Sequence, residues 1–330
     1  MFTGSGDFQQ ALYKTFVLIV TALTMAFLWA YCHLPAGNLL MVILAALTAV
    51  RIAELPAGGK QLQELAVVIT TGALLQYIVA ITVLLPLLNV LLVSLASWLV
   101  LRFIRGSSAH LVLLVGFLAY SAPPGAYAAA ARAVDIVIAG SVAGFITLLT
   151  CSSKALIRTD AKEEKLSAAA AYKESMMLFC GTFLYRLSAM PQGIWIVLTI
   201  IFIGMIRRRQ DSSIMLAKQR IFSVPAGIIL GGIYSSAAVA LDYRLAYLLI
   251  LIAAAGFFML YYRHDFFAFS LFFMFAFTVY ADWMSGSLHG FNFRQLLLAR
   301  TLATVIGAAL LLGIEKVTAA GQRQRHEKIL

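Results

Sequence analysis

Twelve apolar runs of 14 to 22 residues follow one another along the chain, separated by short polar loops. They cover 12–32, 37–53, 65–85, 87–104, 108–123, 131–150, 173–190, 193–206, 219–240, 244–262, 265–283 and 295–315. Apolar residues occupy every side of these runs instead of alternate positions, which favours helices over barrel strands. A helix that crosses a membrane takes roughly 20 apolar residues, and runs two, five, seven and eight fall short of that. The stretch 65–104 is almost unbroken. Pro86 divides it, because proline ends one helix or opens the next.

The charges between the runs set the orientation. With the N-terminus inside, 20 of the 25 Lys and Arg residues fall in cytoplasmic segments. Arg132, Arg186, Arg244, Arg294 and Arg300 remain on or near the outer side. Reversing the chain would invert this asymmetry, so the positive-inside rule predicts twelve spans with both termini in the cytoplasm. The composition agrees: 62% of residues are hydrophobic and 12% charged, against roughly 25% charged in a soluble domain. The expected fold is an all-α integral membrane protein. The net charge of +11 is spread over several loops, which argues against a nucleic-acid partner. The tail from Gln322 to Leu330 reads as a frayed basic end near anionic headgroups.

Cys32, Cys151 and Cys180 are far apart and fit neither a disulfide framework nor a zinc site. The first apolar run reads as an ordinary span and not as a cleaved signal peptide. No loop is long enough for a nucleotide-binding domain, and no phosphate loop appears. The chain is therefore expected to be no enzyme and to use no metal or cofactor.

The two halves share landmarks. Ala11 to Lys14 matches Ala170 to Lys173, and Pro35-Ala36-Gly37 matches Pro191-Gln192-Gly193. Ala131-Arg132, followed by Gly140 and Gly144, matches Ala299-Arg300, followed by Gly307 and Gly313. The offsets stay between 156 and 169 residues. The expected organisation is a six-helix repeat over 1–150, a short cytoplasmic linker over 151–172 and a second six-helix repeat over 173–330. Parallel repeats place a substrate path at their interface.

One stretch carries a family resemblance. Gly193 to Ile203 with Trp195, the basic Arg207-Arg208-Arg209, then Ala217 to Arg220, Pro225-Ala226-Gly227 and Gly231-Gly232 resemble the fusaric acid resistance (FUSC) and aromatic acid exporter family. Arg300 with Gly307 resembles the family's later Arg-x6-Gly helix. The likeness is strongest over 190–315 and weaker over 35–150. It implies a multi-pass component of the bacterial inner membrane that exports small, often aromatic, organic acids. It further implies a periplasmic membrane-fusion adaptor protein as partner and a proton as coupling ion. Larger members carry a sizeable cytoplasmic region where this chain has only Cys151 to Tyr172, so that region's roles do not carry over.

Ionisable residues at membrane depth are the candidate site. Arg132 and Asp135 share a helix face at i and i+3. They read either as a salt bridge at the outer interface or as a substrate-holding arginine beside a proton-carrying aspartate. Arg300, the repeat counterpart of Arg132, either binds a carboxylate through two parallel hydrogen bonds or reaches out to the headgroups. Arg186 has the same two readings. Glu64 and Arg220, counterparts of opposite charge, would pair across the halves as a gate. His264 beside Asp265 reads as a solvated cap or a proton relay, and His33, His110 and His289 receive no role. Pro225 with Gly227, Gly231 and Gly232 marks either close helix packing or a broken helix. The phenylalanines from Phe266 to Phe277 face lipid or substrate. A passive organic-anion channel and a non-transporting scaffold remain alternative readings, and a homo-oligomer is left open.

Overall fold

The computed structural model describes residues 4–31, 39–53, 61–104, 106–121, 125–150, 165–188, 190, 192–207, 212–237, 242–262, 265–285 and 293–327. Among these residues there are twelve α-helices and no strand. They are α1 (Gly4–Tyr31), α2 (Leu39–Ala53), α3 (Gln61–Thr82), α4 (Pro86–Phe103), α5 (Gly106–Phe117), α6 (Ala126–Thr150), α7 (Ala168–Ser188), α8 (Ile194–Arg207), α9 (Ser213–Ala237), α10 (Asp242–Tyr262), α11 (Phe266–Ser285) and α12 (Phe293–Glu327). One 3-10 turn, Leu118–Ser121, extends α5. Among the described residues six helices are long and apolar enough to cross a membrane: α1, α3, α4, α6, α9 and α12. The protein is an all-α, multi-pass membrane protein.

Why some runs are short becomes clear from burial. Residues 42–50 of α2, 108–119 of α5 and 193–206 around α8 are buried without a break. A helix that is apolar all round is stable where it has neighbours on all sides. The long helices carry the outer surface instead. Leu87, Leu91, Leu95, Leu99 and Phe103 form an exposed stripe along α4 at helical spacing, the surface that hydrocarbon would solvate.

Within the chain α2 and α3 pack on α6, and α8 and α9 pack on α12; α3 packs on α5, and α9 on α11. Among the described residues the halves meet through α1 on α10, α4 on α7 and α5 on α8. One end of the bundle is tied by a polar network. Asn89, fully buried, donates to the Thr82 hydroxyl (2.7 Å) and to the Val79 carbonyl (3.3 Å), and it accepts the Tyr120 hydroxyl.

The structure differs from the sequence reading in several places. α9 runs unbroken through Pro225, so the glycines there do not mark a broken helix. They let α11 approach. A Cβ on Gly227 would lie 2.5 Å from the Leu271 carbonyl oxygen, and one on Gly231 2.9 Å from Thr278 Cβ. α12 is a single helix to Glu327, extending through most of the segment expected to fray. α3 stops at Thr82, three residues before the expected end, because the turn over 83–85 precedes Pro86. Most of the 151–172 linker lies outside the described residues, as do His33, His264 and His289.

Candidate functional site: two arginines around Trp195

α8 opens at a strained turn. Gln192 has φ 62°, a left-handed conformation that is uncommon for a residue with a Cβ and costs roughly 1–3 kcal/mol. Gly193 follows because a Cβ there would meet the Tyr185 ring at 2.7 Å and the Met190 carbonyl oxygen at 3.1 Å. The strain aims one acceptor at two donors. Gln192 Oε1 receives Arg300 Nε (3.1 Å) and Trp195 Nε1 (3.3 Å).

Trp195 is buried at 1% exposure, and both Arg300 (2%) and Arg220 (0%) lie over its ring. Their guanidinium carbons are 5.2 Å and 5.8 Å from the indole centroid. Arg300 comes from two turns inside α12 and also lies 4.7 Å from the Phe277 centroid, with Nη1 3.5 Å from the Thr278 hydroxyl. Arg220 comes from two turns inside α9 and lies 4.3 Å from the Phe202 centroid. Its Nη1 donates to the Ser270 hydroxyl at 2.6 Å, and that oxygen also accepts from Ser223 (2.5 Å). Among the described residues Arg220 Nε and Nη2 have no partner. No carboxylate lies within 4 Å of either arginine among them. Phe277 meets Trp195 edge-on at 5.2 Å, and Phe202 meets Phe269 and Phe273 at 5.9 and 5.0 Å. The result is an apolar, aromatic surround holding two permanent positive charges.

Other residues singled out by sequence lie elsewhere. The Glu64–Arg220 pair is not formed. Arg220 turns inward to Ser270, while Glu64 stays half-buried in the first turn of α3. Arg132 and Asp135 are both buried in α6, but Asp135 Oδ1 takes the Trp29 indole N–H at 3.0 Å and its Oδ2 has no partner among the described residues. Arg186 donates to the Val83 carbonyl in the α3–α4 turn and lies 6.0 Å and 5.9 Å from the Tyr120 and Tyr185 rings. The neighbours of Arg300 come from α8, α11 and the turn before α8, not from Arg132. Arg294 is exposed. Phe266, Phe269 and Phe273 are core residues, and Phe267, at 37% exposure, is the most exposed of the other four.

Sequence reasoning passed over two features. Trp195 figured only as part of a motif, although it joins both arginines. His110 lay at a span end without a role, yet its Nε2 is 2.9 Å from Glu174 Oε2, and both side chains are buried. No group of three or more His, Cys, Asp or Glu side chains is arranged to hold a metal among the described residues.

Comparison with known proteins returned no matching family model, no matching curated protein and no matching solved structure.

Proposed function

We propose that this chain is a secondary exporter of small organic anions, chiefly aromatic carboxylates, in the bacterial inner membrane. What supports it is the pair of guanidiniums buried around Trp195 with no carboxylate among the described residues to balance them. Arginine does not lose its charge in a protein, and a buried cation without a counterion is expensive. Contacts with aromatic faces return only about 0.5–2 kcal/mol each. A bound carboxylate supplies the missing charge through paired hydrogen bonds, and its ring packs edge-on or offset among Trp195, Phe277 and Phe202.

The proposed architecture has twelve spans in two six-helix repeats with both termini in the cytoplasm. The packing favours it. Advancing each helix by six places turns the α1–α10 contact into the α7–α4 contact, and α2–α6 into α8–α12. Under this topology Arg300 and Asp135 lie in the outer half of the membrane and Arg220 in the inner half. The residues around the arginines all belong to the second half, so rocking of one half on the other would have to part α8, α9, α11 and α12 to expose them to each side in turn. An inward proton drives the cycle, with Asp135 as its carrier at the outer side, and a periplasmic membrane-fusion adaptor receives the substrate. Arg132 and Arg186 lie beside the path, and Glu64 stands at its cytoplasmic mouth.

The test is accumulation of labelled benzoate in cells with and without the protein, and in cells carrying Arg300→Met. Export is expected to lower accumulation in the wild type only. Equal accumulation in all three strains, for every aromatic acid tried, contradicts the proposal. Flux that follows membrane potential and ignores the proton gradient assigns a passive channel instead.

A further inference from the structure

α8 touches a second polar site near its other end. His110, one turn into α5, faces Glu174, two turns into α7, with 2.9 Å between Nε2 and Oε2. Both side chains border a cavity of about 10 Å³, whose other walls are Met177, Leu178, Ile200, Ile201, Gly204 and Leu311. That volume is about one water molecule. His110 Nδ1 has no partner among the described residues. Gly204 is required by the imidazole itself, since a Cβ there would lie 2.7 Å from Nε2. Thus α8 gives up a side chain to seat this ring, while its first turn carries Trp195.

We propose that His110 and Glu174 form a proton-binding centre on the cytoplasmic side, and that its protonation is transmitted through α8 to the anion site. A buried carboxylate and imidazole in contact bind a proton as one unit. Holding one proton, the pair is neutral overall. Once the proton leaves, the charge of the pair falls by one, and the 2.9 Å contact that seats the imidazole against Gly204 is weakened. Charged groups on the packed helices include Glu64 on α3, Arg102 on α4, Lys173 and Arg186 on α7, and Arg294, Arg300, Glu315 and Lys316 on α12. None of them borders the cavity. Arg102 donates to the Leu166 carbonyl and Glu315 accepts from Ser213. The side chains of Arg51 on α2 and Arg207 on α8 lie outside the described residues.

The coupling half of this inference rests on the exporter reading, so the experiment separates them. Purified protein in vesicles is assayed with labelled benzoate in two modes, counterflow at equal pH and accumulation driven by a pH gradient, with protein-free vesicles as the blank for diffusion of the neutral acid. Glu174→Gln and His110→Asn are expected to lower gradient-driven accumulation roughly tenfold, a typical coupling strength, and to leave counterflow within about twofold of wild type. Unchanged gradient-driven accumulation overturns the inference, and so does equal loss of both modes in folded protein. Gly204→Ala keeps both titratable groups but displaces the ring, and is expected to shift the pH profile of exchange; an unshifted profile overturns the inference. Absence of wild-type counterflow counts against the exporter reading alone. The proton centre is then decided by NMR titration of the His110 imidazole nitrogens, which Glu174→Gln must shift.

Discussion

Replacing Arg220 by Met is expected to leave thermal stability unchanged or to raise it, while lowering anion flux about 100-fold or more. The two effects share one cause. Arg220 is fully buried, and two of its guanidinium nitrogens have no partner among the described residues. Its desolvation is repaid only by Ser270 and the aromatic faces of Phe202 and Trp195. Exchanging buried charged groups for apolar residues of similar volume is often neutral or stabilising, by about 1–4 kcal/mol. Ser270 and Ser223 are 2.5 Å apart, so losing the arginine does not strand their hydroxyls. Losing one partner of a buried ion pair with the anion costs about 2–5 kcal/mol, which sets the expected loss of flux. Thermal unfolding in detergent and vesicle uptake read the two sides. A variant that is much less stable yet transports normally would make Arg220 a packing residue.

Gly227→Leu is expected to cost about 3 kcal/mol or more and to leave most of the protein misassembled, since inserted core volume costs about 1–3 kcal/mol even where neighbours adjust. Here the neighbours are largely backbone. A Cβ at Gly227 would lie 2.5 Å from the Leu271 carbonyl oxygen, 2.7 Å from Met274 Cβ and 3.1 Å from the Phe275 nitrogen. Only separation of α9 from α11 relieves this, and that also pulls Arg220 away from Ser270. Gly313→Ala is the matched control. Nothing lies within 4 Å of its Cβ, so α12 gains helix propensity of up to about 1 kcal/mol without a clash. The monodisperse fraction after purification and the unfolding temperature distinguish the two variants.

The positions of the helices were legible in the sequence because apolar run length and proline placement are local signals. Pro86 opens α4 where the run over 65–104 was divided. The functional use of Pro225 was not legible as a break, because a proline inside a helix is tolerated when neighbouring helices enclose it. The directions of the side chains were less readable still. In a run that is apolar on every side, periodicity does not say which face meets protein and which meets lipid. Arg220 follows a basic loop and therefore reads as interfacial, but the residues that enclose it come from α8 and α11. His110 and Glu174 are 64 residues apart and each sits near the end of its run, where polar residues are ordinary. Only the packing of α5, α7 and α8 brings them together. Arg300 stands out in the sequence by its depth within an apolar run, but its neighbours Gln192, Trp195 and Phe277 come from other segments and not from Arg132.

Equilibrium binding of labelled benzoate to the purified protein tests the arginine–indole site most directly, with Arg300→Met, Arg220→Met and Trp195→Ala measured beside the wild type. Saturable one-to-one binding by the wild type is expected, weakened about tenfold or more in each variant, as loss of a hydrogen-bonded charge or a central aromatic contact dictates. Saturable binding that survives in all three variants would place the anion elsewhere in the molecule.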